Sequence, residues 1–256
     1  MKAEMMNRPI AVFDSGVGGV SVLRALRKSM PAENFVYFGD SENAPYGSRP
    51  YEEIRELTIR HAQRLLDEAK ALVIACNTAT SVAAQELREM YPQHIIIGIE
   101  PALKPAVERF PEGRIAVMAT ETTLRERKFE ELMRLCGRSC HIIRCPCPEL
   151  VSFVERGELD SEDARSAIAK GLMPALESGM DAIVLGCTHY PFLKKAIRAV
   201  VGENVQIFDG AEGTAKETQR RISHAGLLRE GEGTLLLTNS LEPMAKLSET
   251  LLNMNC

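Results

Sequence analysis

Two hydrophobic patterns alternate along the chain. Short unbroken apolar runs at 10–13, 35–38, 71–75 and 95–99 are separated by stretches whose apolar residues recur at helical spacing. Runs this short, without polar alternation, predict strands buried on both faces, as in a parallel sheet. Between the first two, Val22, Leu23, Leu26 and Met30 share one helical face, and Pro31 ends it. Ile54, Leu57, His61, Leu65 and Leu66 predict a helix over 51–69, and another is expected over 79–90. Strand, loop and helix in repeated succession predict an α/β fold, a parallel sheet with helices on both faces.

At residue 114 the succession begins again. Strands are expected at 114–118, 141–144, 181–186 and 205–208, with helices at 124–135, 149–155, 161–178 and 193–200. Ile10-Ala11-Val12 overlays Ile115-Ala116-Val117, and Leu72-Val73-Ile74-Ala75-Cys76 overlays Ile183-Val184-Leu185-Gly186-Cys187. Two matches in the same order predict a duplicated unit, hence two similar domains facing each other. The period is too long for a solenoid.

Composition narrows the functional classes. Of 256 residues, 45% are hydrophobic and 26% charged, which is globular composition and excludes disorder. A net charge of −4 leaves no basic footprint for nucleic acid or an anionic membrane surface. No apolar run approaches the ~20 residues of a membrane span. Residues 1–9 are polar and 10–13 is too short for a signal-peptide core, so a cytoplasmic protein is expected. Met1, Met5 and Met6 read as part of a frayed end. The seven cysteines sit in a chain too large to need disulfide staples. In a reducing compartment they are buried thiols, metal ligands or catalysts.

In open α/β sheets, ligands bind beyond the carboxyl ends of the strands. There this sequence collects its unusual polar residues: Asp14-Ser15, Asp40, Cys76-Asn77-Thr78, residues 120–123 and Cys187-Thr188-His189. The turn Asp14-Ser15-Gly16-Val17-Gly18-Gly19 lacks the Gly-Lys-Ser/Thr ending of a P-loop, and Ser21 stands where a dinucleotide fingerprint needs glycine. Its Asp and Ser favour a small polar ligand. Cys76 and Cys187 are the sharpest pair, at corresponding strand ends and each followed by threonine within two residues. A helix N-terminus lowers a thiol's pKa from about 8.5, which suits a base or nucleophile. Thiols on opposite walls of a cleft fit two-sided proton transfer: one thiolate takes a proton from carbon and the other thiol returns one to the opposite face. Asn77, Thr78 and Thr188 are candidates to hydrogen-bond a carboxylate. A single cysteine with a histidine would instead make a hydrolase, and His189 keeps that reading open. A solute-binding module, which needs no thiols, is a third.

Cys136, Cys140, Cys145 and Cys147, with His141, are spaced C-x3-C-x4-C-x-C. Zinc sites pair two knuckles across a longer loop, whereas the strand expected at 141–144 turns alternate side chains apart. These cysteines are read as structural thiols, and no metal is expected. Cys256 is read as exposed and inert, His61 as a core or boundary histidine, 125–131 as a solvated helix face, and Glu230 and Glu232 as a solvated loop.

At Asp14-Ser15-Gly16-Val17-Gly18-Gly19, Pro45-Tyr46-Gly47, Cys76-Asn77-Thr78 and Gly186-Cys187-Thr188-His189-Tyr190-Pro191, the sequence resembles the glutamate racemases of the cofactor-independent aspartate/glutamate racemase family. The resemblance covers about residues 9–252. It implies two similar flavodoxin-like domains with pseudo-two-fold symmetry: residues 1–98 with 209–256, and residues 99–208. The active site would lie in the cleft between them. It further implies interconversion of L- and D-glutamate without a cofactor, D-glutamate destined for peptidoglycan, and a homodimer. Racemisation of a related acidic amino acid such as aspartate is the alternative. By the family pattern Cys76 takes the α-proton from D-glutamate and Cys187 from L-glutamate. Asp14 would lie near Cys76 and the substrate amine, and His189 with Glu155 would assist Cys187. Ser15, Pro45, Tyr46, Gly47, Asn77, Thr78, Thr123 and Thr188 match substrate-contacting positions, and Asp40 matches a first-domain Gly-Asp. The chain departs from the pattern at Thr122, often Gly or Ala in the family, at Ser41, often Thr, and at Ser152, which replaces a proline. The long N-terminal extension of members activated by a cell-wall precursor is absent, so no such activation is expected.

Overall fold

The computed structural model describes residues 2–125, 127–136 and 139–254. Met1, Glu126 and Cys256 lie outside the described residues. Among those described, nine strands form two sheets: β1 (Ile10–Asp14), β2 (Phe35–Gly39), β3 (Ala71–Ile74), β4 (Ile95–Gly98), β5 (Arg114–Ala119), β6 (His141–Pro146), β7 (Ala182–Leu185), β8 (Gln206–Asp209) and β9 (Leu235–Asn239). Their orders are β4-β3-β1-β2-β9 and β6-β5-β7-β8. Every pairing is parallel. Set β5 on β1 and β7 on β3, and the second sheet repeats the order of the first four strands. The fold is α/β with two similar parallel sheets. The central strands β1, β3, β5 and β7 are buried throughout except at Arg114, which is why they read as unbroken apolar runs.

The sequence signalled no strand at β9. It pairs with β2 from Phe35 with Leu235 to Gly39 with Asn239. Asn34 Oδ1 accepts from Thr234 N at 3.0 Å, and Thr238 Oγ1 donates to the Tyr37 carbonyl at 2.7 Å. At the amino end of the first sheet, buried Lys70 pairs with Glu33 and donates to the carbonyls of Met6 at 2.7 Å and Leu227 at 2.9 Å. Arg229 N donates to the same Glu33 at 2.9 Å. This polar knot ties the later chain back onto the first sheet.

Several helices differ from expectation. The polar start forms a helix, Lys2–Asn7, with no buried residue. The helix expected from 79 begins at Asn77, because the Cys76 sulfur caps it, accepting from Ala79 N at 3.4 Å. The helix expected over 124–135 starts earlier, at Glu121, and is described over Glu121–Arg125 and Arg127–Cys136. Among the described residues no helix is long and apolar enough to cross a membrane.

Both sheets deliver their carboxyl ends to one place. In the order second-first-third-fourth the crevice lies beside the first and third strands. There β1 ends at Asp14, Cys76 follows β3, Thr120 follows β5 and Cys187 follows β7.

Candidate active site

A cavity of about 20 Å³ lies between the two sheets' carboxyl ends. The expected residues Ser15, Pro45, Tyr46, Gly47, Cys76, Asn77, Thr78, Cys187, Thr188 and His189 line it. Asp14, Thr123 and Glu155 stand behind that lining and reach it through hydrogen bonds to Thr188, Thr78 and His189. Val151 and Gly186 also line the cavity, as does Thr120, a residue that drew notice only as part of a polar strand end.

On the first wall, Cys76 is buried at the start of its helix, and its sulfur accepts from Ser15 Oγ at 3.3 Å. Burial, joined by the charge of Asp14, pushes this thiol up to about 12. The lowering expected from the helix N-terminus is overturned here: the hydrogen bonds from Ser15 and Ala79 favour the thiolate but are outweighed. Asp14 is fully buried; Oδ1 accepts from Gly16 N at 2.9 Å and Oδ2 from Thr188 Oγ1 at 3.0 Å. Burial raises its pKa although the charge of His189 and these hydrogen bonds pull the other way. Cys76 thus feels the charge of a buried carboxyl whose own pKa is raised.

On the second wall, Cys187 Sγ lies 3.7 Å from His189 Nδ1, and His189 Nε2 lies 2.7 Å from Glu155 Oε1. Burial opposes a charged His189, yet hydrogen bonds to Cys187 and Glu155 and their charges hold it well above its ordinary value. Glu155 is held below its ordinary value: burial works against this, and His189 and the Val17 N–H, 3.0 Å away, overcome it. A thiol, an imidazole and a carboxylate in line also describe a cysteine hydrolase. The second thiol, Cys76, facing the same cavity is what such an enzyme does not need.

The glycine turn after β1 packs directly beneath this second group. A side chain at Gly16 would strike Glu155 Oε1, and one at Gly18 would strike the His189 ring and Thr188 Oγ1. These glycines are needed for close approach, the use of glycine that a phosphate loop also makes for a different partner.

Asn77 carries the signature of a missing partner. Its Oδ1 and Nδ2 are buried and make no hydrogen bond. Buried polar atoms are nearly always paired, and a donor and an acceptor side by side suit a zwitterionic amino acid. Thr78 Oγ1 lies 3.2 Å from Thr120 Oγ1 and 3.4 Å from Thr123 Oγ1, so the hydroxyls form a cluster on this side.

Tyr46 is set by a network below the rim. Its hydroxyl donates to Asp40 Oδ2 at 2.7 Å, Asn43 Nδ2 donates to Asp40 Oδ1 at 3.0 Å, and His61 Nε2 lies 3.1 Å from Asp40 Oδ2. Burial disfavours the Asp40 charge, but these bonds hold its pKa below the usual value. His61 is thus a boundary histidine, packed on Phe13 and Phe38 and tied to Asp40.

The other described cysteines, Cys136, Cys140, Cys145 and Cys147, stand apart from the cavity lining. Cys140 Sγ donates to the Cys136 carbonyl at 3.2 Å, and Cys147 Sγ to the Cys145 carbonyl at 3.3 Å. Among the described residues no group of three or more His, Cys, Asp or Glu side chains is placed to hold a metal ion.

Known proteins give the same picture. The family model described as Asp/Glu/Hydantoin racemase matches residues 16–218. A glutamate racemase of Clostridium perfringens (strain ATCC 13124) is 48% identical over 245 residues, 94% of each chain. A crystal structure of a glutamate racemase isoform from Bacillus anthracis superposes with a TM-score of 0.85 at 30% identity, covering 97% of this chain and 95% of that one. Glutamate racemase from Francisella tularensis, solved with D-glutamate, superposes with a TM-score of 0.84 at 25% identity, covering 98% and 95%. With the family model matched over residues 16–218, and the fold and nearly the whole length shared with these relatives, this chain belongs to the Asp/Glu/hydantoin racemase family.

Proposed function

We propose that this chain interconverts L- and D-glutamate by proton transfer at the α-carbon, supplying D-glutamate for peptidoglycan. The observation that carries the reading is the pair Cys76 and Cys187, each two residues past an equivalent strand and both facing one cavity. Asn77 offers unpaired polar atoms to the substrate's charged groups, and the threonine hydroxyls face its carboxylates.

The environments of the two thiols differ, and the difference supports different resting roles for them. Cys76, with its pKa at about 12, rests as a thiol and is ready to donate. Cys187 has His189 and Glu155 behind it, a relay able to receive its proton. With L-glutamate, Cys187 takes the α-proton and Cys76 gives one to the opposite face. With D-glutamate, Cys76 must first pass its proton on, and Asp14, of raised pKa, is the neighbouring acceptor. The substrate ammonium stabilises the adjacent carbanion. Fixed donors in a water-poor cleft act on the charge developing at the carboxylate. The proton carriers are side chains, so the reading calls for no cofactor.

A cavity of about 20 Å³ holds about one water molecule. The walls therefore part to admit glutamate and close around it. Under the same reading residues 1–98 with 209–256 form one domain and residues 99–208 the other; the pairing of β9 with β2 supports the first assignment. A cytoplasmic homodimer belongs to this reading, and light scattering on the purified protein tests the dimer.

The deciding experiment is a chirality-resolved assay of glutamate and aspartate, without added cofactor, on wild type, Cys76→Ala and Cys187→Ala. Wild type is expected to racemise glutamate and both variants to lose it, with solvent deuterium entering the α-carbon in wild type. Turnover of aspartate alone overturns the substrate. Normal turnover by Cys76→Ala in both directions overturns the two-thiol mechanism. Binding without turnover, unaffected by the loss of either thiol, points to a binding module.

A further inference from the structure

The rim of the cleft carries a contact that the proposed chemistry does not use. Pro45, Tyr46 and Gly47 belong to the first sheet's side and line the cavity, with Pro45 exposed at its edge. The turn is held stiffly from below by Tyr46 on Asp40, and Ser48 Oγ donates to the Pro45 carbonyl at 3.2 Å. Across the cleft, the helix Glu121–Arg125 follows β5 of the second sheet. From it Thr122 Oγ1 donates to the Gly47 carbonyl at 3.0 Å. Among the described residues this is the one hydrogen bond joining that turn to the second sheet's side. Gly47 also lies so close to Thr120 that a side chain there would strike it. Thr122 itself is half-buried and does not line the cavity.

We propose that Thr122 is a positioning residue: its hydroxyl, donated across the rim to Gly47, clasps the Pro45–Gly47 wall onto the second sheet's side and holds the substrate cavity closed. The inference rests on reading this cleft as the glutamate site. Other bonds across the cleft, among them Thr188 to Asp14, Val17 to Glu155, Ser21 to the Thr188 carbonyl and Thr78 to Thr120 and Thr123, each involve a residue that lines the cavity or is assigned to the chemistry. Thr122 is different: it closes the site without touching the reacting atoms. A bond present only in the closed state favours closure by its own worth, which for a neutral hydrogen bond is about two- to tenfold in an equilibrium. The same bond must break each time product leaves.

The test compares wild type, Thr122→Val, which keeps the branched shape and removes the hydroxyl, and Thr122→Ser, which keeps the hydroxyl. Two readouts are taken: racemisation kinetics in both directions, and hydrogen–deuterium exchange of residues 44–50 and 119–125. Thr122→Val is expected to raise KM for both enantiomers about two- to tenfold, with kcat equal to or above wild type, and to exchange faster in residues 44–50. Thr122→Ser is expected to match wild type in both. Wild-type KM or wild-type exchange in Thr122→Val overturns the clasp, as does a Thr122→Ser variant that shares the valine defects. Unfolding midpoints confirm that each variant is folded, and Thr122→Ala replaces Thr122→Val if the latter is not. Should wild type fail to racemise glutamate, the functional reading falls, while exchange alone still decides whether the clasp exists.

Discussion

Thr188 Oγ1 donates to Asp14 Oδ2 at 3.0 Å, so the carboxyl at the end of β1 is held by a hydroxyl that follows β7 in the other sheet. Both residues are buried. The bond sets the position of Asp14 and, at the same time, joins the walls of the cleft beside Cys76 and Cys187.

Thr188→Val removes that donor and leaves a buried carboxyl oxygen without it. The expected cost is about 1–3 kcal/mol of stability, from desolvation no longer offset by the bond. Racemisation should fall with it, and Thr188→Ser should restore both. Urea unfolding beside the racemisation assay checks this, and a valine variant as stable as wild type would sink it.

The Glu155–His189 pair makes stability depend on pH in both directions. Glu155 lies below its ordinary 4.5, so its contribution is present above about pH 4.5 and is lost as pH falls through its lowered value. His189 lies above its ordinary 6.5, so its contribution is complete below about pH 6.5 and is lost as pH rises through its raised value. The stability lost in Glu155→Gln should therefore be greatest between pH 4.5 and 6.5. Unfolding of both proteins across about pH 4 to 9 measures this. A loss that stays constant with pH means that the pair is not charged in the folded protein.

Gly18→Ala should be far more harmful than an ordinary loop substitution. The added carbon meets the His189 ring and Thr188 Oγ1. The ring cannot swing away freely, because Glu155 holds its other nitrogen at 2.7 Å. Overpacking of this kind costs about 1–3 kcal/mol, and here the displacement falls on the partner of Cys187. A loss of activity exceeding tenfold, with the fold retained by circular dichroism, is expected. Wild-type kinetics would show that the loop yields instead.

Much of this was legible in the chain because the information is local. A strand buried on both faces must be apolar along its length, so β1, β3, β5 and β7 announce themselves. The turn that ends each one places a polar residue at a sheet's carboxyl edge, so Asp14, Cys76, Thr120 and Cys187 could be picked out as a group. β9 could not: its pairing with β2 joins residues some two hundred positions apart, and one face of it is solvated, as exposed Leu236 shows. The start of the helix at Asn77 was also hidden, since Asn and Thr are weak helix formers and the cap comes from a sulfur.

Sequence alone settled the duplicated α/β plan, the identity of the two outstanding thiols and the resemblance to a racemase family, because each depends on residue type and order. The ionisation of Cys76 and the closure of the cleft depended on the assembled fold. Burial and the nearby Asp14 drive Cys76 upward where a helix start alone would lower it. Glu155 reaches Val17, and Thr122 reaches Gly47, only because two sheets bring distant segments face to face. Desolvation and long-range hydrogen bonds exist only between groups that folding has brought together, and no local pattern in a chain records them.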